Sequence, residues 1–185
     1  MNTNQNIGLL ATLSDENLMH RVSNGHLDSL GILFERHHKH VYNYLVKMCG
    51  DRGLSEDITQ EVFYKVMKYR ASYKGGNFVS WIFSITRNAL NSHFRKVKER
   101  PKDLESAKEE IVMSDHEKEE EFSQLHAALQ KLSDTDRELL VLNRLQGIKY
   151  RELAEILEST PDAVKVKVNR AIKKLKKIYF ENSVL

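Results

Sequence analysis

The chain has 185 residues and a hydrophobic content of 41%, enough for one large or two small domains. Its single cysteine excludes an intramolecular disulfide, and no apolar run reaches the roughly 20 residues of a membrane-spanning helix, so a cytoplasmic protein without membrane insertion is predicted. The net charge of +3 is unevenly distributed, because residues 102–121 contain nine acidic residues and only three lysines. The rest of the chain therefore carries a net charge of +9, which suits a polyanionic partner.

The first two predicted helices follow a leader, residues 1–13, that is predicted to be disordered. Ser14 can cap a short helix, and Asn24-Gly25 is typical of a helix end. A longer helix from residue 28 to residue 48 has an inward face formed by Leu30, Leu33, Phe34, Val41, Tyr42 and Leu45. A solvated face and no bound metal are predicted for three histidines that lack further ligands at suitable spacing, namely His37, His38 and His40.

A third helix is predicted from residue 55 to residue 70. Its inward positions recur at helical spacing and are Ile58, Val62 and Val66. The opposite stripe is mostly polar and consists of Asp57, Gln60, Glu61, Tyr64 and Lys68. Two carboxylates on a regular exposed stripe, with no nucleophile beside them, do not indicate acid–base catalysis. The stripe fits either a protein-docking ridge or plain solvation, and periodicity does not choose between them.

Residues 71–77 form a predicted flexible loop, after which Asn77 can cap a fourth helix that extends to about residue 98. The predicted core stripe of this helix is Phe78, Trp81, Ile82, Ile85 and Ala89. Its outer stripe is Ser80, Ser84, Arg87, Asn91 and Lys98. Phe83 and Phe94 lie along the edge, where aromatic rings beside amides and cations can stack on unpaired bases. A basic run, residues 95–100, ends at Pro101, which stops the helix.

The second predicted domain follows an acidic linker, residues 101–121, that is low in apolar residues and therefore predicted to be extended or disordered. A short helix over residues 122–132 is built on Leu125, Leu129 and Leu132. Ser133 can cap the next helix, whose apolar residues are Leu139, Leu140 and Leu142. No stretch shows strand-like alternation. The predicted fold class is therefore all-α, with two small helical domains joined by a flexible acidic linker.

Two closely spaced helices after Gly147 predict a helix-turn-helix. Leu153, Ala154 and Leu157 give the first helix an apolar face, while Thr160 can cap the second helix and Pro161 suits its first position. The inward stripe of the second helix is Val164, Val168, Ala171, Ile172 and Leu175. The opposite face carries groups that can contact phosphates and base edges, namely Asp162, Lys165, Val166, Asn169, Arg170 and Lys173. A merely solvated, lysine-rich helix end would not explain the capped turn.

With both halves in view, the chain resembles an extracytoplasmic-function sigma factor of the sigma-70 family. The resemblance to region 2 rests on Leu33-Phe34-Glu35 through Val41-Tyr42, residues 55–63, Trp81-Ile82 and Thr86-Arg87-Asn88. The resemblance to region 4 rests on Leu132-Ser133, Arg137-Glu138, Leu142, residues 152–155, Val164-Lys165 and Arg170-Ala171. It implies a region 2 domain over residues 14–100, for core polymerase and the −10 element, and a region 4 domain over residues 122–180, for the −35 element.

The resemblance also implies roles for particular residues. Docking on the β′ clamp helices of RNA polymerase is implied for Asp57, Gln60 and Glu61. Binding of the opened −10 element is implied for Tyr73, Asn77, Arg87, Asn88 and Asn91. Reading of the −35 element is implied for Lys165, Val166, Asn169, Arg170 and Lys173. Further implied partners are the β flap and an anti-sigma factor, with neither a cofactor nor a catalytic residue.

The chain departs from the family pattern in two places, since Glu158 replaces the glycine usual in the turn and Val166 replaces a commonly small or polar residue. Two other functions are considered beside the sigma factor. One is a two-domain helix-turn-helix regulator that binds duplex DNA without joining polymerase, and the other is a helical adaptor without a nucleic-acid role. The Asp57–Glu61 ridge and the basic run at the end of the fourth helix, residues 95–100, favour the sigma factor.

Overall fold

The computed structural model describes residues 10–99 and 118–182. Most of the predicted leader, nearly all of the acidic linker and the last three residues lie outside this range. Every regular element within the described residues is helical, which confirms the all-α prediction. None of the described helices is both long and apolar enough to cross a bilayer.

Within the described residues, the N-terminal half contains four helices and one short 3-10 turn. They are α1 (Asp15–Ser23), α2 (Asp28–Cys49), α3 (Arg52–Lys68), the 3-10 turn (Arg70–Ser72) and α4 (Phe78–Glu99). The predicted caps are confirmed at two helix starts, because the Ser14 Oγ accepts a hydrogen bond from the Asn17 amide at 3.3 Å and the Asn77 Oδ1 accepts one from the Ser80 amide at 2.7 Å.

The C-terminal half continues with four more helices. They are α5 (Lys118–Gln130), α6 (Asp134–Leu140), α7 (Tyr150–Ile156) and α8 (Pro161–Asn182), with a π-helical turn (Val141–Leu145) after α6. The predicted cap of α6 is confirmed, since the Ser133 Oγ accepts a hydrogen bond from the Asp136 amide at 3.2 Å. The π-helical turn is not visible in the sequence pattern, because its apolar residues keep a helical spacing.

The chain divides into two compact units. The first unit comprises Met1–Asn43 and Gly53–Glu105, and the second comprises Tyr44–Arg52 and Ser106–Leu185. The end of α2 therefore belongs to the second unit, although the sequence places it inside a domain of residues 14–100. The physical reason is a set of buried polar contacts that this short segment makes with α6.

Arg137 is the centre of those contacts and is almost completely buried. Its guanidinium donates hydrogen bonds to the Met48 carbonyl at 2.9 Å and to the Leu129 carbonyl at 3.1 Å, both near helix ends where carbonyls lack partners within the helix. The neighbouring Glu138 carboxylate accepts a hydrogen bond from the Tyr44 hydroxyl at 2.9 Å. Around them the second unit buries an apolar core of Ala128, Leu129, Leu132, Leu139, Leu140, Val141 and Leu142.

The core of the first unit contains the inward residues of all four of its helices. Among its most buried side chains are Leu18, Met19, Val22, Leu33, Val41, Ile58, Val62, Val66, Phe78 and Ile82. Three predicted inward residues of α2 are not fully buried: Phe34 is 39% exposed, and Leu30 and Tyr42 are only half-buried. The Phe34 ring stays near the surface because it stacks on His38, with centroids 4.7 Å apart, and meets Phe63 edge-on.

The prediction of a solvated face is wrong for one of the three histidines, because His37 is buried. Its Nε2 lies 2.7 Å from the Asp15 carboxylate, a partner on another helix that spacing within α2 could not reveal. This hydrogen bond is the largest cause that holds the pKa of Asp15 below its usual value. Among the described residues, no group of three His, Cys, Asp or Glu side chains could hold a metal ion.

Part of the predicted disordered leader is also packed against the first unit. Leu10 is buried, and Arg36 donates hydrogen bonds to the Ala11 carbonyl at 2.6 Å and the Leu13 carbonyl at 3.0 Å. Sequence composition missed this attachment because a single arginine more than 20 residues away supplies the donors.

Candidate nucleic-acid interface

The polar stripe of α3 is a solvent-exposed ridge, as its spacing predicts. Asp57, Gln60, Glu61, Tyr64 and Lys68 are all exposed, whereas Ile58, Val62 and Val66 on the opposite side are buried. Glu61 pairs with Lys65 one turn later at 2.6 Å, and the Lys68 ammonium lies 5.9 Å from the centre of the Tyr64 ring. The carboxylates of the ridge are therefore exposed to solvent and are not buried in the fold.

The loop between α3 and α4 is more ordered than predicted. Its start is a 3-10 turn, and Tyr73 after it is only 4% exposed. The Tyr73 hydroxyl donates a hydrogen bond to the Gly76 carbonyl at 2.6 Å, so the side chain braces its own loop. Gly75 and Gly76 both have a φ of 92°, a backbone conformation that other residues rarely adopt.

Tyr73 is packed among other aromatic rings in place of facing solvent. Its ring meets Trp81 edge-on at a centroid distance of 5.2 Å and Phe78 at 6.4 Å. Burial is the main cause that raises the pKa of the Tyr73 hydroxyl, with the negative charges of Glu16 and Asp15 adding to it. A base bound at this loop would therefore lie over a surface supported by the Tyr73 ring. The Tyr73 hydroxyl already donates its hydrogen bond to the Gly76 carbonyl.

The start of α4 differs from the predicted arrangement of core and outer stripes. Ser80 and Phe83 are buried, whereas Trp81 and Ile85 are half-buried. The stripe prediction was wrong because α4 is covered over about half of its circumference, by Phe78, Ile82, Phe83, Thr86, Ala89 and Leu90. A helix buried over so wide an arc does not show the narrow apolar stripe of a surface helix.

The predicted −10 residues of α4 lie at accessible positions farther along the helix. Asn88 and Asn91 are exposed and Arg87 is half-buried. The Asn77 side chain is used as the helix cap, so its oxygen is already an acceptor for the Ser80 amide. Three of the five side chains that the resemblance assigns to the −10 element are therefore at least partly exposed, and the other two, Tyr73 and Asn77, make contacts within the loop and its helix cap.

The helix-turn-helix forms from α7 and α8. Leu153, Ala154 and Ile156 are buried, while Leu157, predicted to be in the apolar face, is half-buried because α7 ends before it. The Thr160 Oγ1 accepts a hydrogen bond from the Ala163 amide at 3.3 Å, which confirms the predicted cap. Glu158 in the turn has a φ of 50°, so it occupies the left-handed conformation that a glycine adopts without strain.

The outer face of α8 is fully available for a ligand. Val164, Val168 and Ala171 are completely buried, which turns outward an exposed set of Lys165, Val166, Asn169, Arg170 and Lys173. Val166 is 48% exposed, an unusual place for a branched apolar side chain on a helix otherwise lined by cations. The face combines phosphate-binding cations, an amide that can pair with a base edge and an apolar contact suited to a thymine methyl group.

An exposed ion pair links α8 to α6 within the described residues. The Lys174 ammonium lies 2.6 Å from the Asp136 carboxylate at the start of α6. The hydrogen bond from Lys174 is the main cause that lowers the pKa of Asp136, and the Ser133 hydroxyl contributes a second hydrogen bond. The pair is an exposed contact between α8 and α6, and the burial of Val164, Val168 and Ala171 is what turns the outer face toward solvent.

Comparisons with known proteins agree with this arrangement. The Sigma-70 region 2 family model matches residues 33–100, and the Sigma-70 region 4 model matches residues 122–175. RNA polymerase sigma factor CarQ of Myxococcus xanthus is 28% identical over 167 residues, covering 88% of this chain and 96% of that protein. ECF RNA polymerase sigma factor SigM of Bacillus subtilis is 29% identical over 151 residues, covering 80% of this chain and 93% of that protein.

Solved structures show the same fold. CnrH, solved in complex with the cytosolic domain of CnrY, has a TM-score of 0.71 at 21% identity and covers 89% of this chain and 96% of that chain. RpoE from Bartonella quintana, solved with the anti-sigma factor NepR, has a TM-score of 0.66 at 22% identity and covers 78% and 92% respectively. Two family models in the order region 2 then region 4, with relatives matched over nearly their whole length, show that this chain belongs to the sigma-70 family and is an RNA polymerase sigma factor of the ECF class.

Proposed function

We propose that this sigma factor uses three separate surfaces to select promoters: the α3 ridge for core polymerase, the loop before α4 with the accessible face of α4 for the −10 element, and the outer face of α8 for the −35 element. The observation that carries the proposal is the exposure of all five predicted −35 residues on one face of a capped second helix. The regulator that binds duplex DNA without joining polymerase is not favoured, because it would not account for the region 2 match.

The α3 ridge fits the docking step because its charged groups are exposed and little constrained. Asp57 and Gln60 are exposed, and Glu61 is paired only with a neighbour on its own helix. A protein partner with a basic surface could therefore bind the carboxylates without breaking contacts in the core of the first unit. Electrostatic complementarity of this kind contributes specificity and association rate more than raw affinity.

The −10 assignment is supported by a loop of defined shape beside polar side chains on α4. Extruding a base from duplex DNA costs a few kcal/mol, which stacking and hydrogen bonds in a pocket must offset. The loop contains two consecutive glycines, and the rings of Tyr73 and Trp81 pack against each other beneath it. Arg87, Asn88 and Asn91, which follow in the sequence, supply hydrogen-bond donors and acceptors. Under this proposal Tyr73 and Asn77 act mainly by holding the loop.

The −35 assignment follows from the composition of the α8 outer face. Lys165, Arg170 and Lys173 can neutralise phosphates, and Arg170 can also reach a guanine edge in the major groove. Asn169 suits an adenine, and Val166 suits the methyl group of thymine. We expect Val166 to shift the base preference of this factor at one −35 position.

Under the same proposal the chain works in the cytoplasm as a non-catalytic subunit, with region 2 spanning residues 14–100 and region 4 spanning residues 122–180. Polymerase supplies the chemistry of RNA synthesis, and the β flap receives region 4. CnrH was solved with the cytosolic domain of CnrY, and RpoE with the anti-sigma factor NepR; an anti-sigma factor is proposed as a partner of this chain.

The test is transcription by reconstituted holoenzyme. The full chain is mixed with bacterial core polymerase and a promoter library with randomised −35 and −10 segments, and the templates that give transcripts are sequenced. The expected result is stable core binding and enrichment of one −35 and one −10 sequence. Binding to duplex DNA without core binding or transcript initiation would contradict the proposal.

A further inference from the structure

Helix α1 precedes the residues that match region 2, yet its side chains touch the loop assigned to the −10 element. We propose that Glu16 and His20 on α1 are positioning residues for −10 recognition, which hold the loop and the first turn of α4 in the shape that accepts an unpaired base. This inference rests on the proposed −10 function and adds residues that neither the family match nor the sequence motifs include.

Glu16 fixes the beginning of α4. Its Oε1 accepts a hydrogen bond from the Phe78 amide at 3.2 Å, while the Asn77 Oδ1 accepts one from the Ser80 amide at 2.7 Å. The first amides of a helix have no partner within it, so these two acceptors complete the cap from different parts of the chain. Asn77 caps α4 from the loop itself, whereas Glu16 ties that same turn to α1.

His20 supports the loop from the side. Its ring meets the Tyr73 ring edge-on, with centroids 5.5 Å apart. Its Nε2 lies 3.7 Å from the point that a Cβ would occupy if Gly75 carried a side chain. Tyr73 in turn holds the Gly76 carbonyl through its hydroxyl. Two consecutive glycines at positive φ do not hold one conformation by themselves, since glycine has the largest backbone freedom of any residue. The contacts of His20 and Tyr73 supply the missing constraint.

Helix α1 can act as a rigid base because it is fixed on its other side. Leu18, Met19 and Val22 are completely buried. The Asp15 carboxylate accepts a hydrogen bond from Arg36 at 2.5 Å and forms one with His37 at 2.7 Å, and the His37 ring packs against Phe78 at 5.2 Å. A continuous set of contacts therefore runs from α2 through α1 to the loop.

Positioning and general stabilisation predict different consequences. If α1 only stabilises the first unit, removing its contacts lowers thermal stability and weakens binding to every DNA sequence alike. If Glu16 and His20 set the loop shape, removing them selectively lowers discrimination between bases. Affinity for phosphate changes little in that case, because the basic residues of the chain are untouched.

The experiment measures base discrimination by the intact holoenzyme. Wild-type full chain bound to core polymerase selects from a single-stranded DNA library with six randomised positions, and fluorescence anisotropy compares the selected oligonucleotide with singly substituted ones. Glu16→Ala and His20→Ala should each lower the affinity ratio about tenfold, the size expected for losing one hydrogen bond to a charged group or an equivalent packing contact. The affinity for a substituted oligonucleotide should change less than about twofold, as should its salt dependence.

Conservative and control variants separate positioning from folding. Glu16→Gln keeps an oxygen acceptor for the Phe78 amide and His20→Phe keeps a ring against Tyr73, so both should retain most of the discrimination. Asn17→Ala changes an exposed α1 side chain while it leaves Glu16 and His20 in place, and it should match the wild type.

The outcomes are distinguishable. A wild-type holoenzyme that binds all oligonucleotides equally would overturn the −10 assignment and this inference with it. Wild-type discrimination that survives in both alanine variants would overturn the inference alone. A parallel loss of melting temperature and of affinity for every oligonucleotide, which Glu16→Gln and His20→Phe also show, would establish a purely structural role and likewise overturn the inference.

Discussion

The two candidate DNA-binding surfaces are built on different structural principles. On α8 the five proposed −35 residues lie on one regular helix whose opposite side buries Val164, Val168 and Ala171 and half-buries Ile172 and Leu175, so their orientation follows from helix geometry. The proposed −10 surface combines a glycine-containing loop with one helix, and a side chain from α1 completes the helix cap. The first surface depends on local periodicity and the second on tertiary contacts.

This difference has a functional consequence. A helix that enters a groove needs only to be rigid and exposed on one side, since duplex DNA presents its base edges in a fixed pattern. A pocket for an unpaired base must surround it from several directions, which one helix face does not do. We therefore expect substitutions on α8 to act one position at a time, and substitutions around the loop to act together.

The largest effect should come from the α3 ridge, because both DNA surfaces work only when polymerase presents them. Asp57→Lys with Glu61→Lys places two cations where carboxylates are proposed to meet a basic partner, and like-charge contacts cost on the order of several kcal/mol. Core polymerase binding should fall by at least about a hundredfold with unchanged helicity.

Binding of fluorescently labelled chain to core polymerase measures this loss, and circular dichroism measures helicity. The matched control compares single reversals: Glu35→Lys changes an exposed α2 carboxylate outside the ridge and should have little effect, whereas Asp57→Lys alone should weaken binding. Core binding by the double variant at wild-type strength would remove the ridge from the proposal.

The next effect concerns α8 and tests independence between positions. Arg170→Ala and Lys165→Ala should each cost about 1–3 kcal/mol if the side chain contacts a base, with relaxed preference at a single −35 position. A residue that contacts only phosphate should weaken all sequences equally and reduce the salt dependence. Transcription from −35 variants at several salt concentrations separates the two.

Lys167→Ala is the control for α8, because it removes the same charge from an exposed position off the proposed face. If Lys167→Ala changes −35 preference as strongly as Arg170→Ala, the rotation of α8 assumed here is incorrect. Strong coupling between Lys165→Ala and Arg170→Ala would also contradict the position-by-position behaviour of a regular helix.

Features that depend on local periodicity could be predicted from the sequence, whereas features that depend on tertiary contacts could not. The outer face of α8, the α3 ridge and the caps at Ser14, Asn77, Ser133 and Thr160 depend on residues within one or two turns, and the structure agrees with each. The errors at Phe34, His37 and Trp81 concern contacts between elements, and so do the contacts of the end of α2 with the second unit. Asp15 and His37 are 22 residues apart, and Arg137 and Met48 are 89 apart, so no local pattern contains either pair.

A smaller effect should follow from forcing the loop out of its positive-φ conformation. No atom outside Gly76 and its chain neighbours lies within 4 Å of the Cβ that a substitution at Gly76 would add, and Gly76→Val forces a β-branched residue into a positive-φ conformation. A left-handed conformation costs other residues about 1–2 kcal/mol, which should reduce selective affinity for the −10 oligonucleotide roughly tenfold. Gly31→Ala is the control, since Gly31 lies within α2 without positive φ and alanine favours a helix.

Anisotropy titrations with selected and substituted oligonucleotides measure this effect. The Gly76→Val variant should lose discrimination between bases in the same way as His20→Ala, because each change lets the loop leave the single conformation that binds the base. Additive effects when the two are combined would contradict the cooperative behaviour proposed for this surface.

The smallest effect is expected at Glu158, where the helix-turn-helix departs from its family's usual glycine. The φ of 50° at Glu158 costs an L-residue about 1–2 kcal/mol in the folded state, and a glycine would remove this strain. The greater freedom of glycine in the unfolded chain would offset about 0.4–1 kcal/mol of that stabilisation. Glu158→Gly should therefore stabilise the second unit by less than about 1 kcal/mol. Hydrogen exchange of α7 and α8 amides measures this change within the full chain.

Glu155→Gly is a matched control of opposite sign, since it makes the same replacement at an exposed position inside α7, where glycine costs about 1 kcal/mol. Because Glu158 lies in the turn and not on the α8 outer face, Glu158→Gly should leave the preferred −35 sequence unchanged. A changed preference would mean that the turn sets how α8 enters the groove. The −35 surface would then depend on a loop conformation as the −10 surface does, and the contrast between the two would be lost.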